Sequence, residues 1–324
     1  MLFRSWCNFP AVGAEHRARL IDSVFEPLLT EVSFDDPITA FEILTKKTWV
    51  LGLQTGEFGP IAQCIAGIDI ALHDLHARRN NTPLWKSLGG VTNSVETYAS
   101  GINPTNAEKT AESALSAGYQ ALKLKIGFNT PADIQNIKSL RALLGKNGHL
   151  MVDANQAWGL NEAQGIIRSI SDYGLSWLEE PIHADRPINE WQSLSASSDI
   201  PLAAGENVIG EQHFDSLIES SYLSIVQPDL AKWGGLTKIV PVAKKIIAAG
   251  KRYCPHYLGG GVGLLASAHA LAAAGGDGIL EVDINQNPLR TIFVEPVSGV
   301  LKLGDGPGLG IDIDLDAVAK YKVQ

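Results

Sequence analysis

Residues 121–126 read ALKLKI, and the fold turns on how this stretch is read. In a strand, successive side chains point to opposite faces. Lys123 and Lys125 then share one face, and Leu122, Leu124 and Ile126 the other. Two ammonium groups side by side on an apolar strand need a polar space to point into. Similar segments flank it: YAS at 98–100, LMVDAN at 150–155, LSWLEEP at 175–181, IPLAAGEN at 200–207, LSIVQPD at 223–229, KRYCPH at 251–256 and GILEVD at 278–283. Amphipathic stretches such as TPADIQNIKSLRALLG and GLTKIVPVAKKIIAAG separate them. Eight strands alternating with helices predict βα units and a parallel sheet.

The polar residues repeat with the same period. Tyr98, Lys125, Asp153, Glu179, Glu206, Asp229, His256 and Glu281, one per strand, lie 23–28 residues apart. Eight such units predict a closed (β/α) barrel, whose strand C-termini converge on one mouth. Seven acidic or basic groups then face one another there. A dinucleotide-binding fold is weaker: GGGVG at 259–263 lacks the GxGxxG spacing, and no GxxxxGK[ST] loop occurs.

Before residue 94 the texture changes to helical patterns around 14–30, 36–51 and 60–79, then a turn-rich NNTPLWKSLGG. The expected division is a mainly helical part at 1–93, the barrel at 94–290 and a C-terminal segment at 291–324. Within that segment VSGVLKLGDGPGLGIDID, at 297–314, reads as a short hairpin and loop that packs back on the N-terminal part.

With 26 Lys+Arg against 35 Asp+Glu, the formal charge of −9 argues against nucleic acid and against an anionic membrane surface. A small-molecule ligand is the expected partner. Cys7, Cys64 and Cys254 are odd in number and far apart, so they suggest neither a disulfide framework nor a thiolate zinc site. The start, MLFRSWCNFPAVGAEH, lacks the apolar run of a signal peptide, and a cytoplasmic location is expected.

Asp153 in VDAN, a glutamate of LEEP and Glu206 in GEN end three consecutive strands. A single acid is ordinarily a solvated cap or a surface ion pair. Three at matching positions repel one another unless a cation sits among them, and oxygen-only ligands suit Mg²⁺. In LEEP, Glu179 and Glu180 point to opposite faces, and the period favours neither; the other glutamate is a candidate to pair with a lysine.

Asp229 and His256 end the next two strands, so an Asp–His pair is geometrically natural, the carboxylate fixing the imidazole tautomer. The other seven histidines, His16, His73, His76, His149, His183, His213 and His269, fall in helical or loop patterns. Lys123 and Lys125 precede Asp153 by one strand. A like-charged neighbour, partial burial and the metal are expected to lower a lysine pKa toward that of a general base.

Taken in order, AGIDIALHDLHARRNNTPLWKSLGG, KLKIG, VDANQAW, WLEEP, GEN, QPDLAKWGGLTK, CPH and LEVD resemble the enolase superfamily, specifically its mandelate racemase branch. The resemblance runs from about residue 60 to 314. It implies a modified (β/α)7β TIM-type barrel with a capping domain. It also implies Mg²⁺ on Asp153, Glu179 and Glu206, with Lys125 as base on one face and His256 with Asp229 as acid/base on the other. Lys123 would neutralise a substrate carboxylate, Glu281 would donate a hydrogen bond to it, and Asn155 would add a polar contact. Relatives similar to muconate-lactonising enzymes carry a lysine where this chain has Asp229; Lys232, three residues on, reads as structural.

The implied chemistry is removal of a proton α to a carboxylate, giving an enediolate stabilised by Mg²⁺ and nearby cations. Dehydration of a sugar acid or related hydroxy acid to a 2-keto acid is the leading expectation. Racemisation or epimerisation is the alternative within the same chemistry. Members of this family begin with a β-rich part of the cap that this sequence does not show, so a partial cap is expected, completed by the C-terminal segment. A non-catalytic, metal-binding homologue is therefore the reading from another class. Assembly into a homo-oligomer is a further expectation from the family.

Overall fold

The computed structural model describes residues 13–31, 36–291, 296–312 and 318–320; Cys7 lies outside them. Helix α1 (Ala14–Leu20) continues through a π-helical turn at Ile21–Phe25 into α2 (Glu26–Glu31). Next come α3 (Pro37–Thr55) and α4 (Phe58–Arg79). The Asp36 carboxylate caps α3, accepting from the Thr39 backbone N–H at 2.9 Å, and Pro37 occupies the first turn, where a missing N–H costs nothing. Phe41 and Leu44 on α3 and Ile61, Ile65 and Ile68 on α4, spaced three or four apart, share a core with Leu20 and Phe25. A short helix, α5 (Leu84–Ser87), leads to the barrel.

The barrel then runs β1 (Ser94–Ile102), α6 (Ala107–Ser116), β2 (Ala121–Lys125), α7 (Thr130–Leu144), β3 (His149–Asp153), α8 (Leu160–Ile170), β4 (Trp177–Glu179) and α9 (Ile188–Ala196). It continues β5 (Leu202–Ala204), α10 (Glu211–Glu219), β6 (Ile225–Val226), α11 (Gly235–Ala248), β7 (Arg252–Tyr253), α12 (Gly261–Ala274) and β8 (Leu280–Asp283). One helix falls between each pair of successive strands, so the order is (β/α)7β. All neighbouring pairs are parallel, in the order β7-β6-β5-β4-β3-β2-β1-β8.

The interior closes the ring. Tyr98, Ala121, Met151, Trp177, Ala203, Ile225, Cys254 and Ile279, one from each strand or its immediate edge, pack as a single buried cluster. At the seam between β7 and β8 a Cβ on Gly278 would stand 1.8 Å from the Tyr253 carbonyl oxygen. Outside the ring, Leu122, Leu124, Leu150, Val152 and Leu178 face helix residues such as Ile137, Leu140, Ile166 and Ile239 in the main core. The alternation in ALKLKI is thus the alternation of barrel interior and helix layer.

Tyr98 is a correction to the strand-end series. Strand β1 runs on to Ile102, so Tyr98 lies in the floor beneath the mouth, edge-on to Trp177, and Ser100 reaches mouth level instead. His149 likewise opens β3 rather than lying in a helix or loop.

After β8 come α13 (Pro288–Thr291) and β9 (Val300–Lys302). Residue Val297 bridges Val300 in a tight turn, and β9 then pairs antiparallel with Ser94–Glu96 at the start of β1, so the expected hairpin strand is supplied by the barrel. Residues 313–314 of that stretch lie outside the described residues. Further on, the Gly308 carbonyl accepts from Leu84 N–H at 2.7 Å, and Leu309 N–H donates to Asp74 of α4 at 2.7 Å. Gly308 has φ 67°, and a Cβ there would meet Asp74 Oδ1 at 2.1 Å, so only glycine fits. Among the described residues, no helix is long and apolar enough to cross a membrane.

Candidate active site

Register places three site residues level. Lys125 is opposite Asp153, and Asp153 is opposite Glu179, across β2, β3 and β4. Their side chains point into the ring because Leu124, Val152 and Leu178, one residue earlier, point out. Beyond β5, Glu206 follows at the loop, and Asp229 and His256 follow β6 and β7.

Lys123 is 1% exposed. Its Nζ stands 2.7 and 2.8 Å from the two Glu179 oxygens, 2.7 Å from Glu281 Oε1 and 5.5 Å from the Tyr98 ring centre. Burial disfavours the ammonium, but Glu179 and Glu281 outweigh it and hold the pKa well above the ordinary lysine value. Lys125 Nζ bonds Asp153 Oδ2 at 2.7 Å and Asn155 Oδ1 at 2.8 Å. Its pKa is also raised, Asp153 overcoming burial and Lys123. The Asp153 carboxylate, 2.7 Å away, sets that direction.

Burial, then Asp153, pushes Glu179 up to about 7. Glu180 is pushed to about 8 by burial and Glu206; it accepts from Asn207 Nδ2 at 2.9 and 3.0 Å, an amide where a lysine was expected. Glu206 goes the other way: burial raises it, but His256 and Lys232 hold it well below the carboxylate range. The Lys232 ammonium is 3.2 Å from Glu206 Oε1, an ion pair at the mouth.

His256 Nδ1 is 2.8 Å from Asp229 Oδ2, and Nε2 is 2.8 Å from Glu206 Oε2. Burial would lower its pKa; Glu206 and Glu281 raise it to about 10. Glu281 accepts from Ser100 Oγ and, at 3.2 Å, from Tyr257 N–H. Lys123 and His256 lower its pKa against burial, so in this network Glu281 is an acceptor, whereas the expected role needs a donor.

The donor set fits Mg²⁺. Asp153, Glu179 and Glu206 offer only oxygens. The buried mouth holds six acids, Glu180, Asp229 and Glu281 included, against three lysines and one histidine. With every group ionised, that leaves it short of about two positive charges, which a divalent cation would supply. Among the described residues no three acidic, His or Cys side chains stand at metal-ligand spacing; Glu179, Asp153 and Glu206 are paired with Lys123, Lys125 and His256. Cavities of about 670 and 540 Å³ lie elsewhere, between α3, α4 and α10 and beside α6; charge, not volume, identifies this mouth.

A period of one polar residue per strand does not point to Ser100, Asn207 or Gln227. Ser100 lies two positions from Tyr98 and Gln227 two from Asp229, and period-2 alternation was the signal available for both.

The fold and this mouth define a capped barrel enzyme built for proton transfer next to a carboxylate. Family models described as "Enolase C-terminal domain-like" and "Mandelate racemase / muconate lactonizing enzyme, N-terminal domain" match residues 106–317 and 11–89. The chain belongs to the enolase superfamily, in its mandelate racemase/muconate lactonizing enzyme branch. It is 30% identical to D-galactarolactone cycloisomerase of Agrobacterium fabrum over 86% of this chain and 80% of that protein. Against arabinonate dehydratase of Saccharolobus solfataricus the identity is 28%, over 93% and 82%. A mandelate racemase/muconate lactonizing enzyme from Bordetella bronchiseptica RB50 superposes with TM-score 0.95 at 50% identity, covering 98% of this chain and 90% of that one. A racemase from Streptomyces coelicolor A3(2), solved with bound magnesium, gives 0.84 at 27%, covering 96% and 85%.

Proposed function

We propose that this chain catalyses Mg²⁺-dependent removal of the proton α to a carboxylate, and that its reaction is dehydration of a sugar acid or related hydroxy acid to a 2-keto acid. The observation that carries the reading is the position of the two bases. Lys125 closes β2 and His256 follows β7, on opposite sides of β3, β4 and β5, which carry or lead into the three carboxylates. Asp153, Glu179 and Glu206 would hold the Mg²⁺, which would supply positive charge to the substrate carboxylate.

The chain's own residues do the rest. Lys123 neutralises the substrate carboxylate, and Asn155 orients Lys125. Lys125 takes the α-proton as the neutral amine; Asp153 holds the lysine pKa up and would do so less when engaged as a metal ligand. On the opposite face, the His256 imidazolium, kept in its tautomer by Asp229, gives a proton to the β-hydroxyl. The C–O bond breaks, water leaves and the enol becomes the 2-keto acid. Glu281 serves as a donor to the substrate carboxylate only when protonated. The arabinonate dehydratase among the relatives supports dehydration, and the sugar-acid character of the substrate fits the polar mouth.

Racemisation or epimerisation is the second reading, favoured by a titratable group on each face. A panel of sugar acids with Mg²⁺ separates the two: semicarbazide detects a keto acid from dehydration, whereas inversion gives only α-deuterium exchange in D₂O. Neither signal from any acid in the panel would sink both readings and leave a non-catalytic metal-binding barrel.

A further inference from the structure

Glu179 is held by more than Lys123. Its Oε2 accepts from Gln227 Nε2 at 2.7 Å and from Trp177 Nε1 at 3.3 Å, and all three side chains are buried. Gln227 directly follows β6, two residues before Asp229, and takes no part in the proton transfers above. Its backbone is pinned: N–H donates to the Ala204 carbonyl at 2.9 Å. Gly205, with φ 143°, lets it approach, since a Cβ there would stand 2.7 Å from Gln227 N. An ionised carboxylate only accepts, so the amide nitrogen must face Glu179. Gln227 Oε1 then lies buried without a partner among the described residues.

The three donors differ in charge. Lys123 is also shared with Glu281 and Asp153, and as a cation it opposes a metal ion at the same carboxylate. Amide and indole N–H groups orient a carboxylate without that opposition. Resting on the reading of Glu179 as a Mg²⁺ ligand, we propose that Gln227, with Trp177, is a positioning residue. Lys123 reaches both oxygens, at 2.7 and 2.8 Å, but the two neutral donors meet Oε2 alone; they fix that oxygen, so that Oε1 is the one offered to the metal.

The test is calorimetric titration of Mg²⁺ into chelator-stripped protein, with folding of each variant checked by circular dichroism. Asp153→Asn is expected to lose binding. Gln227→Met, similar in length but without a donor, is expected to bind Mg²⁺ about 10–100-fold more weakly. Trp177→Phe should weaken it in the same direction, and Gln227→His, which keeps an N–H, should bind near the wild-type affinity. Wild-type binding by Asp153→Asn would overturn the metal site itself. Loss in Asp153→Asn with wild-type affinity in Gln227→Met and Trp177→Phe overturns the positioning role alone. A Gln227→His loss as large as that of Gln227→Met does the same, because packing rather than the donor would then matter. Should Gln227→Met not fold, Trp177→Phe decides: weaker binding supports the role, and unchanged binding overturns it.

Discussion

The Nδ1 atom of His256 stands 2.8 Å from Oδ2 of Asp229. The other oxygen of Asp229 accepts from the backbone N–H groups of Ala231 and Lys232 at 2.8 and 3.1 Å, which fixes the carboxylate in place. An aspartate so held keeps a proton on Nδ1 and turns Nε2 toward the mouth, where Glu206 meets it at 2.8 Å.

Asp229→Asn keeps the shape of this contact and removes its charge. The expected result is a fall in kcat of about 10²–10⁴-fold, the range for general acid–base groups. Mg²⁺ affinity should stay near that of the wild type, because Asp229 is not among the three carboxylates. Keto-acid formation under saturating substrate measures it, and an unchanged kcat would remove the pair from the mechanism.

Lys125→Ala and His256→Asn probe the two faces separately. Each is expected to abolish α-deuterium exchange for substrates whose proton lies on its own face and to leave some exchange on the other. Exchange read by proton NMR in D₂O gives the answer. If Lys125→Ala exchanges at the wild-type rate on both faces, the base lies elsewhere.

Addition of Mg²⁺ should stabilise the fold by linkage, by roughly 2.7 kcal/mol at a hundredfold excess over Kd. Glu206→Gln should lose most of that gain. Thermal melts with Mg²⁺ and with chelator measure both, and an equal Mg²⁺-dependent rise in Tm for the variant would exclude Glu206 as a ligand.

Much of this architecture was legible because barrels repeat. The 23–28-residue period located seven of the eight positions compared, and Tyr98 failed because β1, at Ser94–Ile102, is longer than its neighbours. Charges proved harder to read. In ALKLKIG the two lysines look like a repulsive pair, yet each ammonium lies 2.7 Å from an acid on another strand. These acids raise both lysine pKa values. Side-chain partners such as Gln227 on Glu179 depend on register across 48 positions, which no local pattern encodes.

Barrel closure has its own test. Gly278 lies where a Cβ would overlap the Tyr253 carbonyl at 1.8 Å, and both groups are backbone, so no rotamer relieves the clash. Gly278→Ala is expected to destabilise by roughly 3 kcal/mol, at the upper end for overpacking. Urea denaturation measures it, and a variant within a few tenths of wild type would mean that the seam between β7 and β8 is looser than described.

Stability should also carry a histidine signature away from the site. His269 on buried α12 accepts from Trp85 N–H at Nδ1, 2.9 Å away, and its Nε2 faces the Leu309 carbonyl at 3.4 Å. Both neighbours suit the neutral ring, and burial lowers its pKa to about 4. Above pH 6.5 neither the folded nor the unfolded chain protonates this group, and its contribution is complete. Between 6.5 and 4 the unfolded chain takes up the proton and the folded one does not, so stability falls by about 1.4 kcal/mol per pH unit, roughly 3 kcal/mol in all. His73, also lowered to about 4, adds a parallel slope, and the raised Glu179 and Glu180 act in the opposite direction. The comparison that isolates His269 is therefore with His269→Gln, whose amide accepts and donates in the same places without titrating. Urea midpoints at pH 7.5, 6 and 5 should fall more steeply for the wild type than for the variant. Equal slopes would show that His269 does not stay neutral in the fold.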